Sequence, residues 1–299
     1  MSGAMSEKNM GDAAKEYGND GVTLLQHVIP SVLVRSMRRE IMEVVEEVCG
    51  GSTGGPDDPQ MFVTSSTELL WEAISREPHK RNLLYTYVQR VPTIYQLASA
   101  DILRCFAKAI SMRKPSVREA KVQIFLPWEK LFLQDCHQDI NSLDSTNSVT
   151  FWIPLHSLTE RTAVRYWVGS HKEGPVPHEE IVDEAEAIYL ERVPTHLQAK
   201  YPVVRSAVAA DGDVIAINRL VFHQSPRFED QLYARWSVVV RYDDIAGQGL
   251  YLNAPKYAHL APNSEDKMQG RLDNIRAFLA RKPKGDWREK LQGAQSSHV

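Results

Sequence analysis

Cysteine is scarce in this chain. There are three in 299 residues, Cys49, Cys105 and Cys136, an odd number with no Cys-x-x-Cys spacing, which argues against a disulfide frame and suits a reducing compartment. Long apolar runs are missing too. The first twenty residues are polar and hold no signal-peptide core, and no later stretch approaches the length of a membrane span, so a soluble, cytoplasmic protein is expected. There is no excess of basic charge, since 35 Lys and Arg stand against 38 Asp and Glu. A non-specific electrostatic grip on nucleic acid or an anionic membrane is therefore not supported, and the expected partner is a small molecule. Internal repeats and low-complexity tracts are also lacking. What is present is 43% hydrophobic and 24% charged residues, enough apolar material for a sizeable core in one β-rich unit.

Residues 1–18 read as a disordered arm ahead of a single domain, 19–299. Asn19-Asp20-Gly21 signals a turn into the short strand Val22-Thr23-Leu24-Leu25. Leu33, Met37, Ile41, Val44, Val45 and Val48 recur at helical spacing after Pro30-Ser31, and Gly50-Gly51 ends that helix. A mostly helical stretch from about Ser66 to Ile110, punctuated by Pro78 and Pro92, completes a helical layer over about 31–110. From Ala120 the texture becomes short β-branched and aromatic runs separated by turn residues. They are Lys121–Leu126, Val149–Leu155, Val164–Val168, Val203-Val204, Asp213–Ile217 and Leu232–Tyr242, and they predict a sandwich or closed barrel over about 120–243. An acidic insertion, Pro177 to about Tyr201, reads as a helix on the spacing of Ile181, Ala185 and Ile188. The segment 244–299 reads as coil, then a helix from about Ser264 to Ala280, then a frayed end. The fold class is mainly β with added α.

The chemistry concentrates at Asp135-Cys136-His137-Gln138-Asp139. Side chains two apart on an extended chain point the same way, so His137 and Asp139 can reach one ion. Such a pair is common by chance and gains weight from its company. Downstream come Leu220-Val221-Phe222-His223-Gln224-Ser225 and, beyond them, Arg235. Two His and one carboxylate are the ligand set of non-haem Fe(II) oxygenases. An Arg at Arg235 would pair in bidentate fashion with the distal carboxylate of a 2-oxo dicarboxylate, a geometry Lys does not copy. Ser225 or Ser237 would add a hydroxyl to that carboxylate, with Ser225 preferred, and Gln123 shares a strand face with Lys121 and Phe125 toward a pocket.

These residues carry a family resemblance. His137-Gln138-Asp139, Ser148–Leu155, Val168-Gly169-Ser170-His171-Lys172, Gly212-Asp213-Val214 and His223-Gln224-Ser225 with Arg235 together resemble the phytanoyl-CoA dioxygenase-like branch of the Fe(II)/2-oxoglutarate-dependent oxygenases, over about Val122 to Asp243. The resemblance implies a double-stranded β-helix core (jelly roll, cupin-like). It implies Fe(II) on His137, Asp139 and His223, with 2-oxoglutarate held by Arg235 and Ser225, and reaction with O2 to give succinate, CO2 and an oxidised aliphatic carbon. Halogenating relatives lack the carboxylate ligand, so Asp139 argues against that branch. One departure is Glu160-Arg161-Thr162-Ala163, where many relatives carry Asn-Gly.

His171 reads as a structural turn residue, and His156, His178 and His196 as surface residues. Two other readings stay open at this point: a cupin-like metalloenzyme that does not use 2-oxoglutarate, and a non-catalytic β-sandwich binding protein.

Overall fold

A computed structural model describes residues 7–52, 54–130, 133–139, 145, 147–183, 188–246, 280–283 and 285–296. In chain order the elements are α1 (Glu7–Asp20), β1 (Val22–Leu25), α2 (Ser31–Cys49), α3 (Pro59–Arg76), α4 (Lys80–Tyr87), α5 (Thr93–Ala98), α6 (Asp101–Ala109), β2 (Pro115–Phe125), β3 (Ser148–Pro154), β4 (Arg165–Trp167), β5 (Glu179–Asp183), β6 (Ile188–Arg192), α7 (Thr195–Gln198), β7 (Val204–Ser206), β8 (Val214–Asn218), β9 (His223–Gln224), β10 (Arg235–Asp244) and α8 (Trp287–Ser296).

The strands form an antiparallel five-stranded sheet in the order β1-β8-β3-β10-β2, a three-stranded sheet β7-β4-β9, and the hairpin β5-β6. β10 shows how the large sheet divides the molecule. All ten of its residues are buried, yet they alternate in kind. Trp236, Val238, Val240 and Tyr242 face the helical layer and join its core, together with Phe151 and Ile153 of β3 and Val214 and Ala216 of β8. The opposite face carries Val239 with Trp152, Ile215 and Ile217, packed against Tyr166 of the small sheet. That second face also bears Arg235, Ser237 and Arg241, as the period of two requires. An apolar layer therefore supports one side of the sheet while charge is gathered on the other.

The helical layer follows its apolar pattern. α2 buries Val34, Met37, Ile41 and Val45 on one stripe, each such side chain worth roughly 1.5–3 kcal/mol relative to exposure. It stops at Gly50, whose left-handed φ of 77° lets its N–H bond back to the Glu46 carbonyl, a conformation that favours glycine. α3 opens seven residues earlier than the periodicity suggested. Asp58 caps it by accepting from the Met61 N–H, and Pro59 occupies the first turn, where a missing N–H costs nothing.

Three expectations are corrected. Residues 7–18 are part of α1 and not a disordered arm: Ala13 and Tyr17 are buried in the main core, and the Tyr17 hydroxyl donates to the Ser148 carbonyl. The polar composition of this stretch hides two well-placed anchors. The insertion 177–201 is a hairpin, with Ile181 opposite Leu190 and Val182 opposite Tyr189, and only Thr195–Gln198 is helical. Its β-branched and aromatic residues favour the strand over the three-and-four spacing. Finally, 287–296 is helical and not frayed, because Trp287 is buried beside Trp71 and Trp128 and donates to the Leu232 carbonyl. The helix expected at 264–280 lies outside the described residues.

Among the described residues no helix is long and apolar enough to cross a membrane.

Candidate metal centre

Two stretches of chain meet through their main chains. The His137 N–H donates to the His223 carbonyl at 2.8 Å, and the His223 N–H returns to the His137 carbonyl at 3.0 Å. On either side, Ser225 N–H reaches Gln134 and Asp139 N–H reaches Arg219, at 3.0 and 2.9 Å. Residues directly opposite in an antiparallel pair project to the same face, and Asp139 lies two steps from His137 on that face. One donor atom from each of His137, Asp139 and His223 lies within 4.8 Å of the others.

The protonation pattern suits a metal. Nδ1 of His137 sits 2.7 Å from the Asp135 carbonyl, and Nδ1 of His223 sits 3.0 Å from the Val221 carbonyl. A carbonyl only accepts, so each Nδ1 carries a proton and each Nε2 is the ring nitrogen left to face the cluster. Nε2 of His137 is buried with no hydrogen-bond partner among the described residues, 4.0 Å from Oδ1 of Asp139. Burial, and then the neighbouring His223, push the His137 imidazole down to about 3, so it is neutral at physiological pH. Burial alone would raise the Asp139 carboxyl, but Arg241, His223 and Arg219 outweigh it and hold the group well below the usual carboxylate range. Two imidazoles and an anionic carboxylate, with an orphaned buried nitrogen of His137 among them, fit a divalent cation such as Fe(II).

Arg235 lines the same cavity. Its guanidinium is 2% exposed, lies 4.1 Å from the centre of the Phe125 ring and 5.4 Å from that of Trp152, and donates to the Thr162 carbonyl at 3.0 Å. Among the described residues no carboxylate pairs with it, its Nε has no partner, and burial pushes its pKa down to about 9. The Thr162 carbonyl belongs to the Glu160–Ala163 turn, the segment that departs from the family pattern. Ser237, two residues along the same face of β10, is fully buried with a hydroxyl that finds no partner among the described residues. Ser225 and Gln123 line the cavity, and Gln123 Oε1 accepts from the Trp152 indole N–H at 3.2 Å.

Several participants escaped the sequence reading. Arg241 lines the cavity on the far side of Val239 from Arg235, with one guanidinium nitrogen 3.4 Å from both oxygens of Asp139. Thr150 of β3 donates to Asp139 Oδ2 at 3.2 Å. A second arginine, spaced by an even number along a strand that starts with the first, was the available signal. Gln138, between the two candidate ligands His137 and Asp139, is buried and donates to the carbonyls of Gly174 and Leu220 while accepting from Val176 N–H. His178 accepts from the Gln138 N–H, and His156 from the Trp236 N–H, so neither is a bystander at the surface. Ser170 of the Gly-Ser-His turn bridges the Trp167 carbonyl and the Phe222 N–H next to His223, and His171 braces the Gly18 carbonyl as a turn residue.

A family model described as phytanoyl-CoA dioxygenase matches residues 17–228, a span that contains all three candidate ligands. The chain belongs to the phytanoyl-CoA dioxygenase family. It is accordingly a non-haem Fe(II)/2-oxoglutarate-dependent dioxygenase, with iron and 2-oxoglutarate as its cofactor and cosubstrate. No curated protein matches the chain. Among solved structures it resembles the epimerase SnoN from nogalamycin biosynthesis in complex with Fe3+, alpha ketoglutarate and nogalamycin RO, at 16% identity over 80% of this chain and 85% of that one, TM-score 0.51. It also resembles SnoK, described as an alpha ketoglutarate dependent carbocyclase of the same biosynthesis, at 16% identity over 84% and 90%, TM-score 0.50. A third is EctD from S. alaskensis with 2-oxoglutarate and 5-hydroxyectoine, at 13% identity over 87% and 84%, TM-score 0.52. At these identities the likeness establishes the fold shared by such oxygenases, a mixed α/β architecture with antiparallel sheets. Family membership does not select among epimerisation, ring closure and hydroxylation.

Proposed function

We propose that this member of the phytanoyl-CoA dioxygenase family hydroxylates an aliphatic C–H of a small molecule or natural-product intermediate. In this reading one atom of O2 enters the product and the other enters succinate, and CO2 leaves. His137, Asp139 and His223 hold Fe(II), which supplies the oxygen-activating chemistry when bound. The two sheets that flank the cavity act as a double-stranded β-helix, and the domain proposed for residues 19–299 works as one unit with α1 packed onto its core, in the cytoplasm.

The observation that carries the reading is Arg235. A buried guanidinium without a counter-charge costs several kcal/mol, and the distal carboxylate of 2-oxoglutarate would offset that cost with charge-assisted bonds. The orphaned hydroxyl of Ser237 stands beside it on the same strand face, which favours Ser237 as the second donor, while Ser225 and Gln123 line the route toward the iron. A cupin-like enzyme independent of 2-oxoglutarate gives no role to that cation, and a simple binding sandwich gives no role to two imidazoles and a carboxylate gathered around one point.

The test is succinate release from 2-oxoglutarate by anaerobically Fe(II)-loaded protein on exposure to air, with candidate substrates screened for stimulation. Substrate-stimulated succinate formation with a product heavier by one oxygen supports the reading. Metal binding without any 2-oxoglutarate consumption would overturn it.

A further inference from the structure

The ligand Asp139 is gripped from behind. Its Oδ1 faces Nε2 of His137 at 4.0 Å. Oδ2 accepts from the Thr150 hydroxyl at 3.2 Å, and one terminal nitrogen of Arg241 stands 3.4 Å from both oxygens. The other terminal nitrogen of Arg241 is ion-paired with Glu119. Three neighbouring strands fix this arrangement, because Arg241 lies directly opposite Glu119 of β2 and Thr150 of β3 in the sheet register. Directly opposite residues share a face and stand within side-chain reach. Arg241 is 7% exposed, whereas Glu119 opens toward solvent and carries Lys121 3.3 Å away. A second arginine, Arg219, is fully buried, bonds to Asp243 at 3.0 Å, and gives its own carbonyl to the Asp139 N–H. Both the main chain and the side chain of Asp139 are thus referred to the large sheet.

The two arginines of the β10 face play different parts. Among the described residues Arg235 has no carboxylate partner, as a cation awaiting an anionic ligand should, whereas Arg241 already has two. We propose that Arg241 is a positioning residue for the metal centre. It fixes the direction in which Asp139 presents its carboxylate to His137 and His223, and Glu119 holds Arg241 in place for that task. The inference rests on the ligand assignment made above. Its physical basis is that a carboxylate on an unrestrained side chain must lose rotamer freedom to bind a cation, and a guanidinium that has already removed that freedom lowers the cost of binding. The guanidinium also opposes the cation electrostatically, so its contribution appears as the balance of orientation against repulsion. Orientation dominates here because the Arg241 charge is already shared between Glu119 and Asp139.

The experiment is equilibrium dialysis of Co(II) against the folded protein, with the visible absorption of bound Co(II) as a second readout. Wild type, Arg241→Met, Arg241→Lys and Glu119→Gln are compared, with His223→Ala as control. Loss of a partner that orients a metal ligand weakens binding by about 10–100-fold, so R241M is expected in that range with an altered Co(II) spectrum. R241K, which keeps charge but not the two-pronged shape, should fall between R241M and wild type, and E119Q should lose a few-fold. Equal affinity and equal spectra in wild type, R241M and R241K overturn the inference, as does tighter binding in R241M, which would mean that repulsion governs. If R241M does not fold, R241K and Arg241→Gln carry the same comparison. A wild type whose Co(II) binding is unaffected by H223A refutes the ligand assignment itself, a separate result.

Discussion

His137 and His223 are partners through the main chain, exchanging both N–H to carbonyl bonds at 2.8 and 3.0 Å. Because those bonds do not involve the imidazoles, an alanine at either position removes a candidate metal donor without removing the bridge. His137→Ala, Asp139→Ala and His223→Ala should each lose more than about 100-fold in iron affinity. Iron content after anaerobic loading, read beside far-UV circular dichroism, checks this. Variants that keep full iron while folded would refute the assignment.

Arg235 makes a two-sided prediction. Arg235→Met should raise the KM for 2-oxoglutarate roughly 10–100-fold, the range expected for lost charge-assisted bonds of about 1.5–3 kcal/mol. The cosubstrate-free protein should not lose stability in proportion, since the charge removed has no counter-ion among the described residues. Denaturation with and without 2-oxoglutarate separates the effects: wild type gains stability from the ligand and R235M does not.

The imidazole of His156 gives a pH signature. Burial first, then Arg235 and Arg38, push it down to about 4 from the ordinary 6.5. Its Nε2 must stay unprotonated to accept from Trp236 N–H. Between pH 6.5 and 4 the unfolded chain binds a proton there that the folded chain refuses. Stability therefore falls as pH drops through that window and is insensitive to this group above it. Urea titrations of metal-free protein from pH 7.5 to 4.5 should show this slope, shallower in His156→Gln, which keeps an acceptor but cannot titrate. An unchanged slope would acquit His156.

Gln138 predicts a structural cost close to the ligands. Its amide satisfies the Gly174 and Leu220 carbonyls and the Val176 N–H in a site only 4% exposed. Gln138→Leu keeps the bulk and orphans those groups, at about 1–3 kcal/mol each before relaxation. A loss of roughly 2–4 kcal/mol in urea unfolding is expected, together with weaker iron binding, because the residue sits between two ligands. A variant as stable as wild type would show that water replaces the amide.

Much of the site was legible in the sequence because its logic is local and periodic. The spacing of His137 and Asp139, and the placement of Arg235 on a strand, follow from alternation alone. The approach of 137 to 223 depends on long-range pairing and was available only through the family resemblance. Arg241 went unread although its even spacing from Arg235 places it on the same strand face, because spacing alone does not show that Asp139 lies beside it, and Gln138 went unread because its three partners are distant in the chain. The β5-β6 hairpin and the first helix were misread for a related reason. Composition and spacing pointed one way, while β propensity in one and the buried contacts of Ala13 and Tyr17 in the other decided the outcome.

The helix α8 has a consequence for how the protein comes into being. Lys290 donates to the carbonyls of Pro127, Phe228 and Gln231, and Trp287 to that of Leu232. The loop so clamped joins His223 to Arg235. Residues 137, 139, 223 and 235 all precede this clamp in the chain, so during synthesis the loop between His223 and Arg235 emerges before the helix that ties it down.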